Sequence, residues 1–272
     1  MYRFSIYIIF LVTGLFTAAC TKSEGSVASP RNAYRPSVSF TLRNKVVAHG
    51  GAWKEFGLPV NSLAALKKSI ELGCGASELD VQLTSDKVLV VFHDPSVANM
   101  EVEKVTYQQL LQVKLKNGES IPTLAQYLKG LMQQSDTKVI IEAKPSVISK
   151  KRGLELADSV VSLVNRMNAQ QWVAYASFDM DILKKVRRSS PDAAVQYISG
   201  NASPAKLAGI YYSMSYNYKV YKSNPDWIKE AKLLNVVINS WTVNDKEDMA
   251  WLIKEDIDMI TTDYPTALLS LL

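Results

Sequence analysis

From about residue 41 onward, short runs of β-branched and apolar residues alternate with longer stretches whose apolar positions recur every three or four residues. The runs predict strands over 45–49, 76–82, 88–93, 138–144, 173–178, 194–198, 209–214, 236–241 and 259–262. The longer stretches predict helices over 61–72, 154–167, 181–188, 226–234 and 245–254, the first capped by Asn61 or Ser62. About eight strand–helix pairs in roughly 230 residues match a closed α/β architecture, the (β/α)8 TIM barrel, whose usual length is about 250 residues. An open doubly wound sheet is the runner-up, but no GxGxxG loop follows the first strand.

The preceding segment has a different pattern. MYRFSIYIIFLVTGLFTAAC carries one basic residue, an apolar run from Ile6 to Phe16 and small residues ending at Cys20. This is the layout of an export signal, because a membrane span needs roughly 20 apolar residues. Thr17-Ala18-Ala19-Cys20 resembles a bacterial lipobox, so Cys20 is the expected site of lipidation, with a plain secretory signal as the alternative. Residues 21–40, rich in Ser, Lys, Arg and Pro, read as a tether. The expected organisation is a signal over 1–20, a tether over 21–40 and one barrel domain over 41–272, in an exported protein held to a membrane by its N-terminal lipid.

Composition narrows the chemistry. The 31 basic and 26 acidic residues leave a charge of +5, spread in singles and pairs, which does not argue for nucleic acid. Two cysteines exclude a disulfide scaffold; with Cys20 lipidated, Cys74 is a lone thiol, read as a small packed residue. His49 and His93 are the only imidazoles.

These residues fall in a pattern. His49 ends the first run, Glu78 and Asp80 lie two apart on the second, His93 ends the third, and Glu142 and Lys144 lie two apart on the fourth. Side chains two apart on a strand share a face. Placed toward the carboxyl ends of their strands, all six converge where barrel active sites form. Three carboxylates at close range repel one another unless a cation neutralises them, and all-oxygen ligation favours Mg2+ or Ca2+ over zinc. Taken alone, each carboxylate has an ordinary reading as a cap or a surface charge. Their coincidence at one end of successive strands points to a metal-dependent acid/base hydrolase, without naming a substrate.

The segments VVAHGG, NSLAALKKSIELG, SELDVQLTSDKVLVVFHD, IIEAK, ASFDMDILKKVR and NSWTVNDKEDMAWLIKEDIDMITTDYP together resemble the glycerophosphodiester phosphodiesterase family over nearly the whole chain after the tether. The resemblance implies hydrolysis of a glycerol-bearing phosphodiester to glycerol phosphate and a free alcohol. It implies His49 and His93 as the catalytic pair, Glu78, Asp80 and Glu142 as metal ligands, Lys144 facing the substrate phosphate, and Trp241 lining the pocket. Two positions depart from the family pattern. Gly50 stands where an arginine usually follows the first histidine, and Val60 replaces the glutamate of the usual Pro-Glu-Asn. Slow turnover, an unusual substrate or a decayed site are the readings these departures open. The alternatives are a phospholipase D or sphingomyelinase D-like barrel enzyme and a surface binding lipoprotein that has lost catalysis.

Overall fold

The computed structural model describes Met1 and residues 40–209 and 213–272. Cys20 and the segments expected to be export signal and tether, up to residue 39, lie outside the described residues. Eight strands run parallel: β1 (Val46–Ala48), β2 (Ala76–Leu83), β6 (Lys138–Ala143), β7 (Val173–Ser177), β8 (Ala194–Tyr197), β9 (Ser213–Asn217), β10 (Val237–Trp241) and β11 (Met259–Thr262). β1 pairs with both β11 and β2, so the sheet closes on itself and the expected barrel is formed.

Each strand is followed by helix. α1 (Leu63–Glu71) follows β1, α4 (Lys150–Arg166) follows β6, α5 (Met180–Ser189) follows β7 and α6 (Pro204–Leu207) follows β8. After β9 come α7 (Tyr218–Ser223) and α8 (Asp226–Leu233), after β10 comes α9 (Lys246–Lys254), and α10 (Pro265–Leu269) ends the fold. Side-chain caps set most starts: Ser62 accepts from Ala65 N, Ser149 from Arg152 N, Asp179 from Asp181 N and Asp245 from Glu247 N. α4 begins four residues before the predicted 154, because the cap at Ser149 and not the first apolar residue fixes where the helix can start.

Two expectations are corrected. The run 88–93 supplies β3 (Leu89–Val91), which is not a barrel stave: it pairs antiparallel with the far end of β2, Val81 opposite Val91. It belongs to an insertion between β2 and β6 that also holds the hairpin β4 (Ser96–Val97) and β5 (Met100–Glu101), α2 (Tyr107–Leu110) and α3 (Leu124–Leu131). The insertion has its own small core of Val90, Val102, Leu110 and Ile121. The strand predicted over 209–214 is β9, which runs on to Asn217, three residues past the predicted end, with 210–212 outside the described residues. Its inner face is serine, and that polarity hid it from a search for apolar runs.

Inside the barrel the lower layer is apolar, built from Val47, Ala76, Ile140, Ala174, Ala194 and Met259 with Phe40 against it. A larger core of Leu, Val and Ile lies between strands and helices. The insertion is held by a buried ion pair. Arg152 Nε lies 3.2 Å from Glu103 Oε1, Arg152 Nη2 donates to the carbonyls of Leu83 and Thr84, and Glu103 Oε2 accepts from Ser146 Oγ and Val147 N. Removing one partner of such a pair strands the other charge, so Glu103→Ala is expected to cost about 3 kcal/mol or more. Urea unfolding measures it, and a loss under about 1 kcal/mol would show that the pair is not what fixes the insertion.

Candidate functional site

The strand register brings the acidic residues together. β2 and β6 are neighbours with Asp80 opposite Glu142, and Glu78 lies two residues earlier on the same face of β2. One carboxylate oxygen from each of Glu78, Asp80 and Glu142 lies within 4.8 Å of the others, and all three side chains are almost wholly buried. They line a cavity of about 270 Å3 at the carboxyl ends of the strands, together with His49, His93, Lys144 and Trp241. All seven residues that the sequence nominated within the barrel therefore share one cavity.

His93 reaches it by an unexpected route. Because β3 runs back along β2, with Phe92 N donating to Asp80 O, the chain returns His93 to the mouth from above instead of delivering it on a stave. Its Nδ1 lies 2.8 Å from Asp94 Oδ1, and Gln82 Nε2 ties this turn by donating to the carbonyls of Phe92 and Asp94. His49 follows β1 directly, and its Nδ1 lies 2.7 Å from Asp263 Oδ1. In both rings the carboxylate engages Nδ1, which leaves Nε2 as the nitrogen available for proton transfer.

Asp263 is the residue that sequence reasoning passed over. It follows β11, and besides His49 it accepts from Lys54 Nζ at 3.1 Å and Asn244 Nδ2 at 2.9 Å. It stood inside the quoted TDYP segment, and its place one residue beyond a barrel strand, at the catalytic end, was the available signal. The other side chain missed is Asn61, whose Nδ2 donates to Asp80 Oδ2 at 2.8 Å.

The electrostatics follow from crowding. Burial, then the charge of Asp80, pushes the Glu78 carboxyl up, and burial with Asp80 also raises Glu142. His49 answers from the other side. Burial works against its charge, but the hydrogen bond to Asp263 and the fields of Glu78, Asp263 and Asp80 outweigh it and raise the ring from 6.5 to about 9. Asp263, despite its own burial, is held down to about 2, chiefly by His49. The field of His49 acts on Glu78 and that of His93 on Glu142, so the two rings attend different carboxylates of the cluster. Lys144 Nζ lies 3.0 Å from Glu142 Oε1 and 3.2 Å from Asp80 Oδ1, so its ammonium is drawn to the carboxylates.

The opposite wall is neutral. Gln196, Ser215, Asn239 and Thr261 line it, Trp241 donates its indole N–H to Ser215 O, and Phe178 meets Trp241 edge-on at 5.8 Å. The donor set fits a hard divalent cation: three buried carboxylates converge, all donors are oxygen, and two of the acids are shifted toward protonation by burial and by the charge of Asp80.

Position 50 is not an open space. A Cβ on Gly50 would stand 2.2 Å from Val60 Cγ2, and its φ of +61° is left-handed. An arginine there would meet both obstacles, so the two departures from the family pattern are physically one: Val60 fills the volume beside a residue without a side chain.

A closed parallel barrel with a carboxylate cluster, two carboxylate-held histidines and a lysine at its catalytic end defines a class of phosphodiester-cleaving barrel enzymes. Residues 49–267 match the glycerophosphoryl diester phosphodiesterase family, and the chain belongs to that family. It is similar to the glycerophosphodiester phosphodiesterase of Caldanaerobacter subterraneus subsp. tengcongensis, 32% identical over 244 residues, covering 85% of this chain and 98% of that protein. The crystal structure of a glycerophosphodiester phosphodiesterase from Parabacteroides distasonis superposes with a TM-score of 0.80 at 38% identity, covering 85% of this chain and 97% of that one. An Oleispira antarctica phosphodiesterase, solved in complex with the product sn-glycerol-3-phosphate, shares the fold with a TM-score of 0.68 at 20% identity, over 85% of this chain and 96% of its own.

The His49–Asp263 pair has a measurable consequence. His49 holds its proton in the folded protein up to about pH 9, whereas the unfolded chain releases it near 6.5. The folded state thus binds more protons between those values, so the stabilisation that comes from the raised His49 is complete below 6.5 and is lost as pH rises to about 9. Melting curves in chelator should show this decline, and Asp263→Asn should flatten it. An unchanged slope in the variant would show that Asp263 does not set the charge on the ring.

Proposed function

We propose that this protein hydrolyses glycerophosphodiesters to glycerol phosphate and an alcohol, with Glu78, Asp80 and Glu142 holding one divalent cation, Mg2+ or Ca2+, and with His49 and His93 as the acid/base pair. The observation that carries this reading is the meeting of three buried carboxylates and two carboxylate-held imidazoles around one cavity. Family membership supports the substrate class.

A phosphodiester brings one negative charge, and attack at phosphorus concentrates more on its non-bridging oxygens. A bound cation supplies Lewis-acid stabilisation of that charge. Lys144 adds a second positive group on the same wall. In-line displacement requires one group to take a proton from the attacking oxygen and another to give one to the leaving oxygen, on opposite sides of phosphorus. His49 and His93, attending different carboxylates, suit these two stations. The attacking oxygen is either the adjacent glycerol hydroxyl or water. Trp241 and Phe178 form the apolar flank against which the carbon skeleton rests.

His49→Ala and His93→Ala are each expected to lower turnover of glycerophosphocholine at least a hundredfold with little change in melting temperature, and EDTA should abolish activity that Mg2+ or Ca2+ restores. Released glycerol phosphate is the readout. Near wild-type rates in either variant would exclude the two-histidine scheme. Turnover of a lysophospholipid but of no water-soluble diester would favour the lipid-cleaving alternative. Binding of a diester without any cation-dependent turnover would favour the binding lipoprotein.

The same reading extends to location. The protein is exported, and acylation of Cys20 anchors it, since the lipid chains supply most of the membrane affinity. Among the described residues no helix is long and apolar enough to cross a membrane. Cys20→Ser should move the protein from the membrane fraction to the soluble one on fractionation, and unchanged partitioning would exclude the lipid anchor.

A further inference from the structure

The loop between β1 and α1 contributes no ligand to the acidic cluster, yet it touches two of the three carboxylates. Gly50 N donates to Glu78 Oε2 at 2.9 Å. Asn61 grips Asp80 twice: its Nδ2 donates to Oδ2 at 2.8 Å, and its Oδ1 accepts from the backbone N of Asp80 at 3.2 Å. The two grips are joined, because Asn61 N donates to Gly50 O at 2.8 Å. Both residues are buried and both have left-handed backbones, with φ of +61°. The methyl of Val60 closes the space over Gly50.

A carboxylate on a strand can rotate about its last bond, and three of them repelling one another would turn apart. One oxygen of Glu78 and one of Asp80 are instead held by neutral donors from a single loop, so the second oxygen of each keeps a fixed direction. The left-handed backbone at Asn61 lets the carboxamide face Asp80 while its own N–H reaches back to Gly50. Asparagine tolerates that conformation better than any other residue carrying such a side chain.

On the cation reading proposed above, on which this rests, we infer that Asn61 is a positioning residue for the metal ligands. Gly50 and Val60 form with it one packed unit that sets cation affinity through Asp80 and Glu78. The departures at positions 50 and 60 are then a rebuilt support for the cluster and not a vacancy in it.

Asn61→Gly is the discriminating variant. It removes the carboxamide while glycine suits the left-handed backbone, so the fold is kept. Asn168→Gly makes the same substitution at an exposed residue with φ of 55°, far along the chain at the end of α4. Titration calorimetry with Mg2+ and with Ca2+ is expected to show affinity about tenfold weaker, or worse, in Asn61→Gly and within twofold of wild type in Asn168→Gly, with metal-free melting temperatures near wild type for both. Gly50→Ala should also weaken binding, and adding Val60→Ala, which removes the clashing methyl, should recover part of the loss. Unchanged affinity in Asn61→Gly, equal losses in both glycine variants, or no recovery in the double variant would overturn the inference. A wild-type protein that binds neither cation would instead overturn the cation reading itself, and the two failures are told apart by that first titration.

Discussion

Three carboxylates buried within a few ångströms of one another are the constraint around which the catalytic end of this barrel is organised. Negative charge in a low-dielectric interior is strongly unfavourable unless it is paired or hydrogen-bonded. Each neighbour supplies part of that compensation. Lys144 places its ammonium between Asp80 and Glu142, Gly50 offers a backbone N–H to Glu78, Asn61 offers a carboxamide to Asp80, and His49 carries a proton held by Asp263. The insertion is part of the same answer, since its return strand brings His93 beside Glu142.

The barrel makes this crowding sustainable. Parallel register fixes Asp80 opposite Glu142 regardless of what the side chains prefer, and ladder hydrogen bonds on both sides of β2 and β6 resist any splaying of the strands. Below the cluster the interior is filled with apolar side chains, so the fold gains its stability there and between strands and helices. The mouth, built by loops and strand ends, is free to hold groups that are individually unfavourable. One short ion-pair network around Arg152 links the insertion, the end of β2 and the start of α4, and so joins the loop carrying His93 to the scaffold.

Much of this was legible in the sequence, and the exceptions have physical causes. The alternation of strand and helix patterns was enough for a closed barrel, because buried parallel strands must be apolar. It misassigned 88–93 as a stave, since an antiparallel strand packed on an insertion core reads just as apolar as a stave. It ended β9 three residues early, because the inward residues of that strand are serine. The acidic residues were visible as charges interrupting apolar runs. Asp263 and Asn61 were not: they act through hydrogen bonds to residues 214 and 19 positions away in the chain, and nothing in their own neighbourhood announces it. At position 50 the sequence shows only a glycine in place of an arginine, and nothing there announces that the volume beside it is filled from Val60, ten residues on.

The charges in the mouth also relate proton and cation. Burial and mutual repulsion shift Glu78 and Glu142 toward protonation even with Lys144 beside the cluster, and His49 holds its proton through the hydrogen bond to Asp263 and the fields of Glu78, Asp263 and Asp80. A divalent cation among the same carboxylates would oppose the fields of Glu78 and Asp80 at the ring, leaving the hydrogen bond to Asp263 and that residue's own field. His49 would then titrate closer to its ordinary value, where it can both give and accept a proton at neutral pH. On this reading the loaded cluster with Lys144 is close to neutral, and one protonated histidine makes it singly positive, which matches the single negative charge of a phosphodiester. Under the proposed function the His49 ring would keep its hydrogen bond to Asp263 while the cation opposed the carboxylate fields around it, so Asp263 is the contact that orients the ring with or without the cation.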